Sequence, residues 1–315
     1  MISNLNNPLK LNIKLMGTYI SVTIYNYKDI RILKEVENLF YYYNHIFSMY
    51  DYNSELFNLN KNAFSKEIKV SDDLFELIKI GKKHSVDSNL NICIAPLVKL
   101  WNIGFSNYRI PDEFEINEAL GLLDSNNILL NTFEKTVCFT KKGMQIDLGA
   151  LAKGYIADKI KDFLESKGVN SAIINLGGNI VTLGFAIHRP DFNFRIGLQN
   201  PKLPRGSHLL DLAINDMSVV TSGKYERNFI KDNITYHHIL SPINGYPIET
   251  NMSSITIISE KSIDGEIWTS KLFGKSFEEI NEELMKNKYI EAIIIYDDNT
   301  IKYTKGVERY ILERK

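Results

Sequence analysis

From residue 126 onward the chain is a succession of short apolar runs: NILLN, TVCFT, MQIDLGA, SAIINLGG, NFRIGLQ, DMSVVTSG, ITYHHIL, SSITIIS and EAIIIYDD. Most are closed by glycine, hydroxyl or charged residues, and runs of this length bounded by turn formers read as strands. Helical spacing interrupts them after Asp147, up to about Gly168, and again over about 264–273 and 276–286. Strands and helices therefore mix without strict alternation, which predicts an α+β fold with mixed sheets flanked by helices.

The earlier part of the chain reads differently. Residues 10–27 alternate apolar and polar about Gly17, as two strands around a tight turn would. Leu33, Val36, Leu39, Phe40, Tyr43 and Phe47 then share one helical face over residues 31–48. A further helix is expected after Ser71, whose hydroxyl can cap it and whose followers Asp72 and Asp73 suit the positive end of the helix dipole. Another is expected to begin near Pro111, since proline suits a first helical turn. The division that follows is an N-terminal part, residues 1–125, packed closely on a larger part, residues 126–315, within one unit.

Charge excludes one class of function. Lys and Arg number 37 against 38 Asp and Glu, a net charge of −1, so no general basic face is available to displace counterions from nucleic acid. No stretch approaches the ~20 apolar residues of a membrane span, and the first 22 residues show no leader pattern. Cys93 and Cys138 lie far apart and read as two buried free thiols rather than a zinc site or disulfide. Together these point to a cytoplasmic protein without a membrane anchor.

No P-loop, dinucleotide fingerprint, zincin or nucleophile-elbow pattern occurs. Five other segments can carry chemistry. In Asp147-Leu148-Gly149-Ala150-Leu151-Ala152-Lys153-Gly154-Tyr155 a strand runs into a helix through small residues. Free N–H groups at such a helix start suit a phosphate, and Lys153 adds a point charge, although the glycines equally suit close packing. Asn175-Leu176-Gly177-Gly178-Asn179 reads mainly as a turn. Hydroxyls and charges gather at a strand end in Thr221-Ser222-Gly223-Lys224-Tyr225-Glu226-Arg227. In Tyr236-His237-His238-Ile239-Leu240-Ser241-Pro242 the adjacent histidines point to opposite faces of a strand, so one at most faces a site. Asp264-Gly265-Glu266-Ile267-Trp268-Thr269 offers hard oxygens that suit magnesium, or simply an acidic helix start.

In this order the five segments resemble the ApbE family, the FAD:protein FMN transferases formerly described as thiamine-biosynthesis lipoproteins. DLGALAKGY, NLGGN, TSGKYER and HHILSPINGYP carry most of the resemblance. Met16-Gly17-Thr18, Tyr50-Asp51 with Ser54-Glu55-Leu56, and Pro96-Leu97-Val98 before Trp101 extend it over nearly the whole chain. The resemblance implies a magnesium-dependent transferase that moves FMN from FAD to a threonine or serine of a target flavoprotein and releases AMP. It implies FAD contacts from Met16, Tyr50, Asn89, Leu90, Asn91, Asp147, Lys153, the Thr221-Ser222-Gly223 segment and Ile239. The base it implies is His238, and the metal ligands are the carbonyl of Ala150 and the hydroxyl of Thr269.

The chain departs from the family pattern at three positions. Gly265 stands where an aspartate metal ligand is usual, Ser241 replaces the aspartate of the histidine segment, and Asn91 replaces an aspartate before Pro96-Leu97-Val98. For the metal, the expectation is that glycine's backbone freedom lets Asp264 turn into the vacant place, with Glu266 as the second choice, and that Gly265→Asp is tolerated or improves activity. Two other readings follow from the same residues: an FAD-binding protein with a lost metal site, and an FAD pyrophosphatase giving free FMN and AMP.

Overall fold

In the computed structural model, residues 7–86, 88–287 and 289–312 are described; the first six residues, part of the stretch read for a leader, lie outside them. The chain opens with a hairpin. Strands β1 (Leu9–Leu15) and β2 (Thr18–Ile24) pair with Leu15 opposite Thr18, leaving Met16 and Gly17 as a two-residue loop. Both loop residues have positive φ, 53° and 71°, the turn geometry that matches the twist of the flanking strands. For Met16 that is a left-handed conformation a side chain rarely adopts.

Helix α1 (Arg31–Phe47) follows and buries Ile32, Val36, Phe40, Tyr43 and Phe47. Then come α2 (Glu55–Asn62), β3 (Ile68–Lys69), α3 (Asp72–His84), α4 (Ala95–Trp101) and α5 (Glu113–Leu120). The Ser71 hydroxyl accepts from the Leu74 N–H and caps α3, as its sequence predicts. Helix α5 starts two residues past Pro111, at Glu113: Asp112 caps it in a reciprocal pair with Glu115, and Pro111 stands outside the helix. Strands β4 (Ile128–Asn131) and β5 (Thr136–Phe139) join β3 in a three-stranded sheet.

Residues 144–148 do not form the strand their apolar pattern suggests. The segment is tied instead to the short turn at Ile92–Ile94, with the Asp147 N–H donating to the Ile92 carbonyl at 2.7 Å. It leads into α6 (Gly149–Ser166), after which β6 (Ser171–Leu176) and β7 (Asn179–Gly184) form a second hairpin. Its loop, Gly177-Gly178, also has two positive φ values, and a Cβ on Gly177 would overlap the Thr18 hydroxyl of the first hairpin at 2.1 Å.

The later elements are β8 (Phe194–Gln199), β9 (His208–Ile214), β10 (Ser218–Gly223), β11 (Asn228–Lys231), β12 (Ile234–His237), β13 (Met252–Ser259), α7 (Ser262–Leu272), α8 (Phe277–Met285), β14 (Glu291–Tyr296) and β15 (Ile301–Tyr303). The main sheet has eight strands in the order β1-β2-β6-β7-β10-β13-β14-β15. The α+β class holds. Its strand ladders are antiparallel, and the parallel pairing that a mixed sheet requires is confined, among the described residues, to an isolated bridge between Phe64 and Phe139.

Every side chain of β13 is buried, because this central strand is covered on both faces. One face meets the β8–β9 ribbon through Ile196, Leu198, Leu212 and Ile214, and the other meets α7 and α8 through Leu272, Phe273, Ile280 and Leu284. Helices α6 and α7 cross where Gly154 leaves no room for a side chain: a Cβ there would lie 2.5 Å from the Ser262 carbonyl and 2.7 Å from Glu266 Cγ. Asp158 of α6 accepts from the N–H groups of Ser262 and Ile263 at 2.7 and 2.9 Å, so one helix caps the other's first turn. On its next face α7 presses Gly265 against β10, where a Cβ would meet Val220 Cγ2 at 2.4 Å.

These two contacts generate the stability predictions. Gly154→Ala is expected to lower unfolding free energy by about 1–3 kcal/mol through overpacking, read from urea denaturation midpoints. Gly265→Asp is expected to lower it by more, since it adds both a clash and a buried carboxylate. Stability equal to the parent in either variant would show that the helix can shift freely, contrary to this packing. Against the expected tolerance of Gly265→Asp stands this contact, since the glycine allows the close approach of α7 to β10.

Candidate functional site

Segments far apart in sequence converge on Arg227, which follows β10 and precedes β11. A Cβ on Gly17 would lie 3.4 Å from Arg227 Nη2, and one on Gly104 would lie 2.9 Å from Arg227 Cδ. The Met16-Gly17 turn and the Gly104 loop thus flank the arginine side chain. Phe105, next in that loop, sets its ring 5.1 Å from the ring of Tyr50, whose own residue is 52% exposed. Asp147 lies in the field of Arg227, Lys99 and Lys153. Burial pushes its carboxyl above the ordinary range, opposed by a hydrogen bond from the Gly149 N–H at 2.8 Å and by those three cations.

Lys153, one turn into α6, sits beside this cluster and reaches a second. Its ammonium bonds the Glu266 carboxylate at 2.7 Å, and the Asn179 amide bonds the same oxygen at 3.0 Å. Ser262 donates to Asn179 Oδ1 at 2.7 Å and closes the network. Three of the sequence segments therefore meet here. Asn179, read only as part of a turn, is 2% exposed and belongs to the network.

The two histidines separate as strand alternation requires. His237 is buried, with Nε2 on the Ile248 carbonyl at 3.0 Å, Nδ1 accepting from the Ile239 N–H, and its ring against Phe273. His238 turns the other way. Both its backbone N–H and its Nδ1 lie 3.1 Å from the Arg227 carbonyl. A carbonyl only accepts, so Nδ1 carries the proton and Nε2 keeps a lone pair. Burial lowers the pKa to about 4, the Arg227 carbonyl opposing it and the charges of Arg227, His237 and Lys153 adding to it. At neutral pH the ring is an uncharged acceptor.

Several expected flavin contacts are spent on the protein itself. Asn89 donates to the Phe273 carbonyl, Leu90 is buried, and Asn91 donates to the Leu123 carbonyl while accepting from the Cys93 N–H. Asn91 so does local capping work that an aspartate would also do. The Thr221 hydroxyl pairs with that of Thr256 at 2.8 Å. Val220 faces α7, so alternation places Thr221 on the opposite face of β10 and Ser222 on the α7 side. Gly223 packs on the Tyr225 ring, and the Ile239 carbonyl accepts from the Ile248 N–H.

For a magnesium ion the donors on α7 are hard oxygens, as that cation prefers. Thr269 is fully buried and its hydroxyl donates to the Glu266 carbonyl at 3.1 Å, leaving lone pairs for a cation. Ala150 lies in the exposed first turn of α6. Glu266 and Thr269, three apart on α7, share a face. Asp264 does not: it precedes Thr269 by five residues, about 140° around the helix, and its carboxyl lies in the field of Asp158, Glu260 and Lys261. Gly265 lies within an ordinary helix rather than at a flexible start, so nothing turns Asp264 inward, and the preference for Asp264 is corrected. The donor chemistry fits magnesium with Glu266 as the carboxylate. Arg227 lies in the 221–227 segment singled out in the sequence but was given no contact there; its signal was a charge at the end of a glycine-closed strand.

The ApbE family profile matches residues 16–294, from the Met16 turn into β14. A Klebsiella pneumoniae protein named FAD:protein FMN transferase is 38% identical, the match covering 91% of this chain and 89% of that protein. One of the same name from Treponema pallidum is 31% identical over 95% of this chain and 90% of its own. Among solved structures, the ApbE protein of Thermotoga maritima superposes with a TM-score of 0.87 at 24% identity, covering 97% of this chain and all 100% of the other. The flavin transferase ApbE of Vibrio cholerae gives 0.83 at 22% identity, with 98% and 100% covered. Profile, sequence relatives and fold agree along almost the whole length, and the chain belongs to the ApbE family.

Proposed function

We propose that this protein transfers FMN from FAD to a threonine or serine hydroxyl of a target flavoprotein and releases AMP. The observation that carries the reading is His238, an uncharged imidazole with Nε2 free, fixed beside a cluster of Arg227, Lys153 and Asp147. The names of the relatives support it from a separate direction. In the reaction the acceptor oxygen attacks the phosphorus of the FMN half. The bond from that phosphorus to the bridging oxygen breaks, the bridging oxygen leaves with AMP, and the hydroxyl proton passes to His238 Nε2. Such chemistry depends on positioning and on cations placed where negative charge develops.

Magnesium, when bound, neutralises charge on the pyrophosphate. The residues that would hold it are Thr269 through its hydroxyl, Ala150 through its carbonyl and Glu266 through its carboxylate. The Lys153 ammonium and the Asn179 amide both bond Oε1 of Glu266, so its Oε2 is the oxygen that would face the cation. A cytoplasmic setting belongs to the same reading and is supported by two free thiols, Cys93 buried and Cys138 half-buried. Among the described residues no helix is long and apolar enough to cross a membrane.

The test is to incubate the protein with FAD, magnesium and candidate flavoprotein domains, and to follow flavin fluorescence on the denatured acceptor together with free FMN and AMP. Flavin bound to acceptor supports transfer; free FMN alone would replace it with hydrolysis, and neither product would leave an FAD-binding protein.

His238→Ala is expected to lower the transfer rate by ~10²-fold or more with FAD affinity nearly kept, whereas His237→Ala acts through stability. The base works only when neutral, and its pKa is lowered to about 4. Transfer should therefore persist as pH falls through 6.5 and fail only as pH approaches 4, giving an acid limb displaced from that of an ordinary histidine near ~6.5. An acid limb near 6.5 in kcat/KM would contradict this environment for His238. For the metal, Glu266→Gln should weaken magnesium or manganese binding in the presence of FAD by about tenfold or more, and Asp264→Asn should leave it nearly unchanged, as measured by calorimetry. The reverse order would return the ligand role to Asp264.

A further inference from the structure

We propose that the Arg227 guanidinium grips the pyrophosphate of FAD and holds the reacting phosphorus in front of His238. The inference rests on the flavin-transferase reading and assigns one residue of that site a contact. Four observations support it. Arg227 is exposed, and among the described residues its guanidinium makes no hydrogen bond or ion pair. The other cations of the cluster are engaged, Lys153 by the Glu266 carboxylate at 2.7 Å and Lys99 by Gln145 at 2.7 Å. Arg227 is therefore the cation of the cluster held ready for an anion from outside.

The side chain is also seated. Gly17 and Gly104, with φ of +71° and +92°, bring two loops against its end and its stem, and a Cβ at Gly104 would lie 2.9 Å from Cδ. Left-handed backbone on both sides commits those loops to glycine and keeps the slot open. Finally, the carbonyl of the same residue takes both hydrogen bonds that orient His238. A base must lie within about 3 Å of the attacking hydroxyl, and that oxygen within about 3–3.5 Å of phosphorus. A guanidinium on the residue that fixes the base is thus placed to reach oxygens around that phosphorus. Its planar fork matches two phosphate oxygens at once, which an ammonium does not.

The test compares FAD with riboflavin, which has the ring system and ribityl chain but no phosphate. Calorimetry on the full chain with magnesium present would use the parent, Arg227→Met and Arg227→Lys. Arg227→Met should weaken FAD binding by about tenfold or more and leave riboflavin within about twofold. Arg227→Lys should recover part of the FAD loss, since it restores charge without the fork. FAD affinity equal in parent and Arg227→Met would overturn the inference. Equal losses for FAD and riboflavin would overturn it too, because the residue would then act on the ring system or on folding. A parent protein that binds no FAD would overturn the flavin-transferase reading itself, and this inference with it.

Discussion

The ion pair between Lys153 and Glu266 at the crossing of α6 and α7 is the interaction around which the site is assembled. Glu266 has only 4% of its side chain exposed, so its charge needs the ammonium at 2.7 Å and the Asn179 amide at 3.0 Å. The pair forms only because Gly154 lets the helices touch, and because Asp158 caps α7 at the required height. Buried ion pairs contribute little net stability compared with apolar packing, but removing one partner is costly. Its consequence here is registration. It fixes which residue of α7 faces α6, and so places Thr269 and Gly265 relative to β10.

The charges of the site are divided in the same way. One cation, Lys153, is paired inside the protein, and another, Arg227, stands exposed. Between them His238 is kept uncharged by burial and by positive neighbours, which favours proton acceptance at neutral pH but makes the imidazole a weaker base than a free one. The rate must then come largely from positioning and from cations around the phosphates.

His238 owes its place to an aromatic stack beneath the β11–β12 hairpin. Phe229 stacks on Tyr108 at 4.4 Å and on Tyr236 at 5.1 Å, and Tyr236 lies 5.7 Å from Trp101. Trp101 is fully buried and donates to the Gly245 carbonyl at 2.8 Å. The hairpin leaves this anchor and returns to it within ten residues, from Asn228 to His237, so Arg227 and His238 emerge side by side. A rigid base of this kind is how two residues eleven apart come to share a carbonyl hydrogen bond.

Much of this was legible in the residues. Apolar periodicity and the Ser71 cap mark α1 and α3, because helical spacing and capping are local effects. The order of the glycine-rich and histidine segments was enough to indicate the family, and alternation was enough to separate His238 from His237. Other assignments depended on partners far away in sequence. Residues 144–148 are as apolar as a strand, but their neighbour is the turn at Ile92, so no ladder forms. Gly265 looks like a missing ligand in the sequence and is a packing contact with Val220 in the fold. Asn179 looks like a turn residue and is a buried partner of Glu266. Arg227 stood in a segment marked by its charges, but nothing local set it apart from Lys224 and Glu226, since its slot is built from Gly17 and Gly104 and the anchor for His238 is its carbonyl. Local chemistry determined the elements and the residue types available for catalysis. Which glycine serves packing, which carboxylate turns inward and which cation stays free were decided by close approaches between helices, strands and loops that no short window of sequence contains.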